Sequence, residues 1–462
     1  MKLNRVEKTK EFTHEGAKAA SQTLEQKLRR TVLTTMLWED GFYEDGESVT
    51  QRIENYVKKL PFTTVEQIAL EAKNNMKLRH VPLLVAALAP KYFEGAKVGN
   101  LVEAVIQRPD EMGEIISIYW KLNGAGKMIP RQMKYGIARA FKKFNEYQLA
   151  KYDSSNASVK LRDVVFLCHI KAGKNAELGS RIARLVNKEK IPLKTKSGFQ
   201  VRKEYSLKAK GPFGLASPET WENRLSRGED KKTVFTELIQ NNQLGAMALL
   251  RNLRGMKEAG VQSSLIVKAI GSARTDKVLP FRFLSAYRHA PEFRIELEQK
   301  MLECAKNLDK LEGQTVLLVD ISGSMSAQMS SKSDLTRLDA ARGLAILLRE
   351  IGEDVKVHAF DTRTDANLVQ RGFELGDKLQ LRGGTDIGQA VAYAKTNYPK
   401  ASRTIVITDE QSYSVVGKPA GKGYMINVAN YQNGVSKSEN WENISGFSEA
   451  IAQYIVELEK LD

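Results

Sequence analysis

Leu317–Met329, LLVDISGSMSAQM, is apolar through Val319 and then turns polar at once, with a carboxylate at Asp320 and hydroxyls at Ser322 and Ser324. A short apolar run ended by so abrupt a change reads as a buried strand that delivers side chains to its carboxyl end. Alternate positions of an extended segment point the same way, so these three side chains can share one crevice. In open α/β sheets the crevice outside the strand ends is where ligands sit.

Around this stretch, TVLLVDIS (315–322), DVKVHAFD (354–361), RTIVITD (403–409) and KGYMINVA (422–429) read as strands. DAARGLAILLREIG (339–352), TDIGQAVAYAKTN (385–397) and SGFSEAIAQYIVELEKL (445–461) read as helices. Strand alternating with helix predicts a doubly wound, Rossmann-like parallel sheet over residues 314–462. Two later edges of that sheet carry further oxygen donors, Thr385 in RGGTDIG and Asp409 in VITDEQS. With Asp320, Ser322 and Ser324 they form a set of hard oxygen ligands that suits Mg²⁺ or another divalent cation with waters completing the shell. The plain alternative is a group of polar loop tips that holds no metal. Asp386 and Glu410, adjacent to the set, are expected to face solvent.

Upstream, from about Pro61 to Leu311, the chain reads as successive helices of 3.6-residue periodicity broken by Gly, Pro or Asn, with no strand between them. Stacked helix pairs of this kind predict HEAT-like repeats over residues 1–313, each pair burying its apolar face on its neighbours. At 462 residues the chain is long enough for two such units. Its charge divides along the same line. The sequence holds 71 Lys and Arg against 55 Asp and Glu, net +16, and the excess lies entirely before Gln314. A domain so basic suits a polyanion such as nucleic acid, although a generally basic surface also serves solubility.

Within the basic part, PRQMKYGIARAFKKFNEYQLAKY (130–152) reads as one helix. Met133, Ile137, Ala140, Phe141 and Phe144 share its apolar face, while Arg131, Lys134, Arg139, Lys142 and Lys143 spread over the other. A solvated helix face looks the same. A long Lys-rich loop follows from Pro192 to Phe213, of the length that is usually functional or disordered. RNLRGMK places Arg251, Arg254 and Lys257 at helical spacing, followed by Arg274, Lys277, Arg282 and Arg288. Asn252 among them can bond a neighbouring repeat instead.

No GxxxxGK[ST], GxSxG or HExxH motif is present, and the five His, at 14, 80, 169, 289 and 358, are scattered. The expectation is a protein that is not an enzyme. Cys168 and Cys304 are far apart, which argues against a disulfide framework and for two small core residues. No apolar run reaches the roughly 18 residues of a membrane span, and the opening MKLNRVEKTKEFTHEG lacks the apolar core of a secretory signal, so a cytoplasmic protein with no membrane partner is expected.

Two resemblances sharpen these expectations. The order DxSxS, Thr385, Asp409 at sequential strand ends resembles the metal-ion-dependent adhesion site of von Willebrand factor A domains, which implies a bound Mg²⁺ whose open position takes an acidic group from a partner. QLAKYDSSNASVKLRDVVFLCHIKA (148–172), TWENRLS (220–226) and LGAMALLRNLRGMKEAG (244–260) resemble the TROVE module of the Ro autoantigen family, as in a bacterial or phage-like Ro ribonucleoprotein. That resemblance implies a ring of helical repeats closed near the A domain, with single-stranded RNA ends in the hole and Y RNA on the outer surface. It implies phosphate contacts from Lys151 and Arg162 and places His169 on the Y RNA surface, where a hydrogen-bonded structural histidine is the other reading. Part of the set beginning with Arg251 and Arg254 would line the inner wall or rim. The implied partners are noncoding RNA, Y RNA-like or misfolded, and an exoribonuclease reached through RNA or the A domain. No DNA specificity is implied, and the chain is expected to act as a monomer in RNA quality control or as a processing adaptor. A different class, a metal-dependent adhesion or chaperone-adaptor subunit, would use the A domain and treat the helices as scaffold.

Overall fold

The computed structural model describes residues 23–34, 46–154, 156–186, 220–274, 278, 280–306, 309–329, 335–429, 434–437, 440–446 and 450–460. The Lys-rich loop 192–213, Lys277 and the side chain of Cys304 lie outside them. The chain divides into two compact units, one of Met1–Tyr56, Asn75–Lys77 and Asp230–Asp462, the other of Val57–Asn74 and Leu78–Glu229.

In the first unit, five strands form a sheet in the order β2-β1-β3-β4-β5. They are β1 (Leu311–Asp320), β2 (Gly352–Phe360), β3 (Arg403–Thr408), β4 (Lys422–Asn427) and β5 (Glu442–Ser445), each parallel to its neighbours. Val316, Leu317, Leu318 and Val319 of β1 are all fully buried. A parallel strand has helices on both faces, so its sequence is an unbroken apolar run rather than an alternation. Burial of each such side chain is worth about 1.5–3 kcal/mol. The helix Arg337–Ile351 packs on β1, β2 and β3 and is buried along almost its whole length. It starts where Thr336 and Asp339 exchange side-chain and backbone hydrogen bonds as a capping box. The edge strand β5, four residues of which three are polar, carries too little pattern to be read beforehand.

The helices after Asp230 share this unit with the sheet. Tyr287 stacks on Phe373 with ring centroids 4.8 Å apart, Arg294 Nη1 lies 3.2 Å from Asp377 Oδ2, and Arg288 pairs with Asp339. The change of pattern near Gly313 is therefore the entrance to β1 rather than a gap in packing. At the far edge the helix Leu24–Thr34 packs against β5, burying Leu28, Val32 and Leu33.

The second unit is helical. His80–Tyr92 is apolar on all sides and buried from Val81 to Ala89, as a helix surrounded by others must be. Ala96–Val105 and Arg131–Phe141 cross closely at two glycines, where a Cβ on Gly136 would stand 2.5 Å from the Gly99 carbonyl. Lys73 Nζ donates to Glu111 Oε1 at 2.6 Å in the interior, and Glu111 Oε2 accepts from the backbone N–H groups of Gln107 and Arg108. Cys168 is buried, and desolvation pushes its thiol up to about 12, so it is an inert core residue as expected.

The single helix expected over 130–152 is two. Arg131–Phe141 ends, Asn145 accepts a hydrogen bond from Gln148 N at 2.8 Å, and Glu146–Tyr152 begins as a new helix. The Asn145–Gln148 capping box outweighs the continuing periodicity, since it satisfies donors that the break would otherwise strand.

Candidate metal centre and cationic surface

β1 and β3 are adjacent, and the chain departs from β1 in opposite directions along the sheet, so their carboxyl ends flank the point where strand order reverses. Asp320 closes β1 and Asp409 follows β3, and both are fully buried. Thr408 Oγ1 donates to Asp320 Oδ2 at 2.5 Å, and Ser322 N donates to Asp320 Oδ1 at 2.8 Å. The Ser322 and Ser324 hydroxyls lie 3.3 Å apart. The loop carrying Thr385 is pinned to the same turn, since Gly323 N donates to Gly383 O and Arg382 N to Ile321 O, at 2.8 and 2.7 Å. Thr385 itself is buried. Backbone pairing and strand order thus bring three parts of the chain to one crevice.

The electrostatics are those of a site with surplus negative charge. Burial, and then the neighbouring Asp409, push the Asp320 carboxyl up to about 7. Burial likewise raises Asp409, against the opposing pull of Arg337 and Ser324. Asp409 Oδ2 is buried with no hydrogen-bond partner, and Arg337 Nη1, at 3.7 Å, is too distant to supply one. Two carboxylates, three hydroxyls and an unsatisfied buried oxygen fit a hard divalent cation, which would remove both penalties. Among the described residues no group of three or more His, Cys, Asp or Glu is placed to hold a metal, so any such ion here relies on hydroxyls and water.

Two expectations around this centre are corrected. Glu410 does not face solvent: it is buried, its Oε1 accepts from Arg30 Nη1 at 2.9 Å and Asn427 Nδ2 at 3.0 Å, and its Oε2 accepts from Ser436 Oγ at 2.7 Å. A φ of 59° turns its side chain inward, away from the direction an extended residue would take. Asp386 is half-buried and caps the helix Ile387–Asn397, accepting from Gln389 N at 2.9 Å and from the Ser414 hydroxyl. Both have backbone or side-chain partners that outbid water.

The cationic residues are less uniform than their spacing suggests. Met133, Ile137, Ala140, Phe141 and Phe144 are buried, while Arg131 and Lys142 are exposed and Lys134 is half-exposed. Arg139 is held by Glu103 and by Asn100 Oδ1 at 2.8 Å, and Lys143 Nζ donates to the Glu103 carbonyl at 2.7 Å. Lys151 is exposed beside Tyr152, whose ring Arg108 also covers at 4.6 Å. Arg162 is half-buried, with Asp163 at 3.8 Å. His169 is exposed in the left-handed region at φ 54°, just past the helix Leu161–Leu167, so its side chain stands on the surface. Arg251 and Arg254 are exposed in the first unit, on the helix Ala246–Glu258, where Asn252 Nδ2 bonds Ala248 O of its own helix. Arg337, Thr408 and Arg30 went unread in the sequence. Thr408 had one signal, its place directly before Asp409 at a strand end; the other two had none.

Residues 206–371 match the family model described as TROVE domain. Telomerase protein component 1 of Rattus norvegicus is 24% identical over 296 residues, half of this chain, and that of Mus musculus is 34% identical over 92 residues, 19% of it. The chain spans only 11% and 4% of the length of these two relatives. The crystal structure of the Deinococcus radiodurans RO (RSR) protein superposes with a TM-score of 0.61 at 16% identity, covering 94% of this chain and all of that one. The expected fold class is borne out in these terms, a helix-rich amino-terminal region followed by a parallel-sheet domain. The matched span covers Arg251 and Arg254 but not the cations from Arg131 to His169. Among the described residues no helix is long and apolar enough to cross a membrane.

Proposed function

We propose that this chain, which carries a TROVE domain match and has the fold of a Ro protein, is a noncoding-RNA-binding protein of the Ro kind that takes Y RNA-like and misfolded RNA or single-stranded RNA ends and performs no catalysis. The observation that carries the reading is the face of Arg131–Phe141 opposite its buried side, continued through the turn after it, where Arg131, Lys134, Lys142 and, on the next helix, Lys151 reach solvent. Exposed cations along one surface bind phosphates through counterion release, and a neighbouring exposed ring such as Tyr135 can take a base. Arg162, half-buried beside Asp163, and the exposed His169 would add further contacts to the RNA. Arg139 and Lys143, engaged with Glu103, position it rather than lead it. A role in RNA quality control or processing, with an exoribonuclease as partner, follows from the same reading.

The parallel-sheet domain is proposed as a von Willebrand A domain. Asp320, Ser322 and Ser324 would hold Mg²⁺, with Thr385 and Asp409 completing the donor set, directly or through water. The ion would supply an electrophilic position for an acidic group of a partner. The buried, unbonded Asp409 Oδ2 favours this second activity beside RNA binding.

Filter binding of a single-stranded RNA across a salt series, with and without EDTA, tests the RNA surface and its independence of the metal centre. Affinity falling steeply with salt and indifferent to EDTA is expected for the RNA surface. Affinity flat in salt would refute it.

A further inference from the structure

The helices Lys231–Gln240, Ala246–Glu258 and Pro280–His289 enclose a cleft of about 360 Å³ in the first unit, the size of a small-ligand site. Its lining includes Lys231, Arg251, Arg254 and Arg282 against a single carboxylate, Glu258. Glu258 stands 3.7 Å from Arg254, which leaves it little to offer the others. Among the described residues neither Lys231 nor Arg251 has a carboxylate partner. Arg282 is disfavoured as a cation first by desolvation and then by Arg251 beside it. Gly255 is part of the construction: a Cβ there would stand 2.6 Å from Lys231 Nζ, so the absence of a side chain lets the ammonium lie across the helix. Lys231 and Arg251 are thus brought together in a concave site whose one carboxylate already pairs with Arg254, and a bound anion would offset the positive charge they leave.

We propose that this cleft is a binding site for a phosphomonoester, the terminal phosphate of an RNA strand. An internal phosphodiester carries one charge and has to leave the site by both ester bonds. A terminal phosphate carries a charge of about −1.5 to −2 at neutral pH, offers three free oxygens and leaves by one bond, which suits several converging cations in a pocket rather than along a groove. The proposal rests on the RNA-binding reading for the strand, but the site itself concerns only the phosphate.

The test uses the full chain and one single-stranded oligoribonucleotide in three forms, 5′-phosphorylated, 3′-phosphorylated and hydroxyl at both ends. Inorganic phosphate and adenosine monophosphate are measured alone by calorimetry. A phosphorylated end should bind roughly tenfold tighter than the hydroxyl form, a preference that Arg251→Gln removes. Gly255→Ala, which displaces Lys231 without removing a charge, should lower the same preference while its melting temperature certifies the fold. If strand ends show no preference but adenosine monophosphate or phosphate binds in an Arg251-dependent way, the site stands and its source is the free anion. If neither preference nor small-anion binding is found, the site is refuted, while RNA binding through the other surface is untouched. If no strand binds in any form, the RNA reading falls, and the calorimetry still decides the cleft.

Discussion

Arg30 Nη1 lies 2.9 Å from Glu410 Oε1, both side chains buried, across 380 residues of sequence. The pair ties the helix Leu24–Thr34 to the residue directly after Asp409, so an early segment of the chain helps to set the end of β3. Removing one partner of a buried pair leaves an uncompensated charge, which costs about 3–5 kcal/mol, whereas replacing both can be nearly neutral. Arg30→Met is therefore expected to lower stability by about that amount, and Arg30→Met with Glu410→Gln to recover most of it. Denaturant unfolding of the three proteins checks this; equal losses in single and double variants would show that the pair is not coupled.

A divalent cation should stabilise the protein in a pH-dependent way. Asp320 has its folded pKa raised from the ordinary carboxylate range to about 7, so without metal the folded state holds an extra proton between those values and stability falls as pH rises through that window. A cation competes with that proton. The Mg²⁺-induced rise in melting temperature should be larger at pH 8 than at pH 6 and absent in Asp320→Ala. A rise independent of pH, or one that survives the substitution, would place the ion elsewhere.

The salt dependence of RNA binding should separate free cations from engaged ones. Lys142→Ala and Lys151→Ala are each expected to reduce the slope of log affinity against log salt by roughly one unit. Lys143→Ala should change it less, because its ammonium already donates to the Glu103 carbonyl. Equal effects at all three positions would mean that the contact with Glu103 yields to phosphate.

Gly136→Ala should destabilise the helical unit by about 1–3 kcal/mol through overpacking, since the new Cβ meets the Gly99 carbonyl at 2.5 Å and Val102 Cβ at 2.7 Å. A shifted denaturation midpoint with little change in RNA affinity at permissive temperature is the expected pattern. An unchanged midpoint would show that the two helices can move apart at no cost.

Much of the molecule could be read in one dimension because the relevant physics is local. The apolar runs before Asp320 and Asp409 mark central parallel strands, and a strand that ends in a carboxylate announces a crevice whatever lies around it. The apolar stripe from Met133 to Phe141 follows from the period of the backbone alone, whereas Ser324 sits in the short 3-10 helix Gly323–Ser326, outside the extended alternation that the sequence suggested. What remained for tertiary structure was the fate of charges. Asp386 and Glu410 look alike beside the metal set, yet one became a helix cap and the other a buried ion-pair partner of Arg30. Arg139 and Lys142 sit on one basic stripe, yet only one found a carboxylate. Charge pairing across tens or hundreds of residues depends on which helices pack, and no period in the chain records it. Hydrophobic spacing determined the elements and the place where the site would open; long-range packing decided which polar groups were spent on holding the fold and which were left for a ligand.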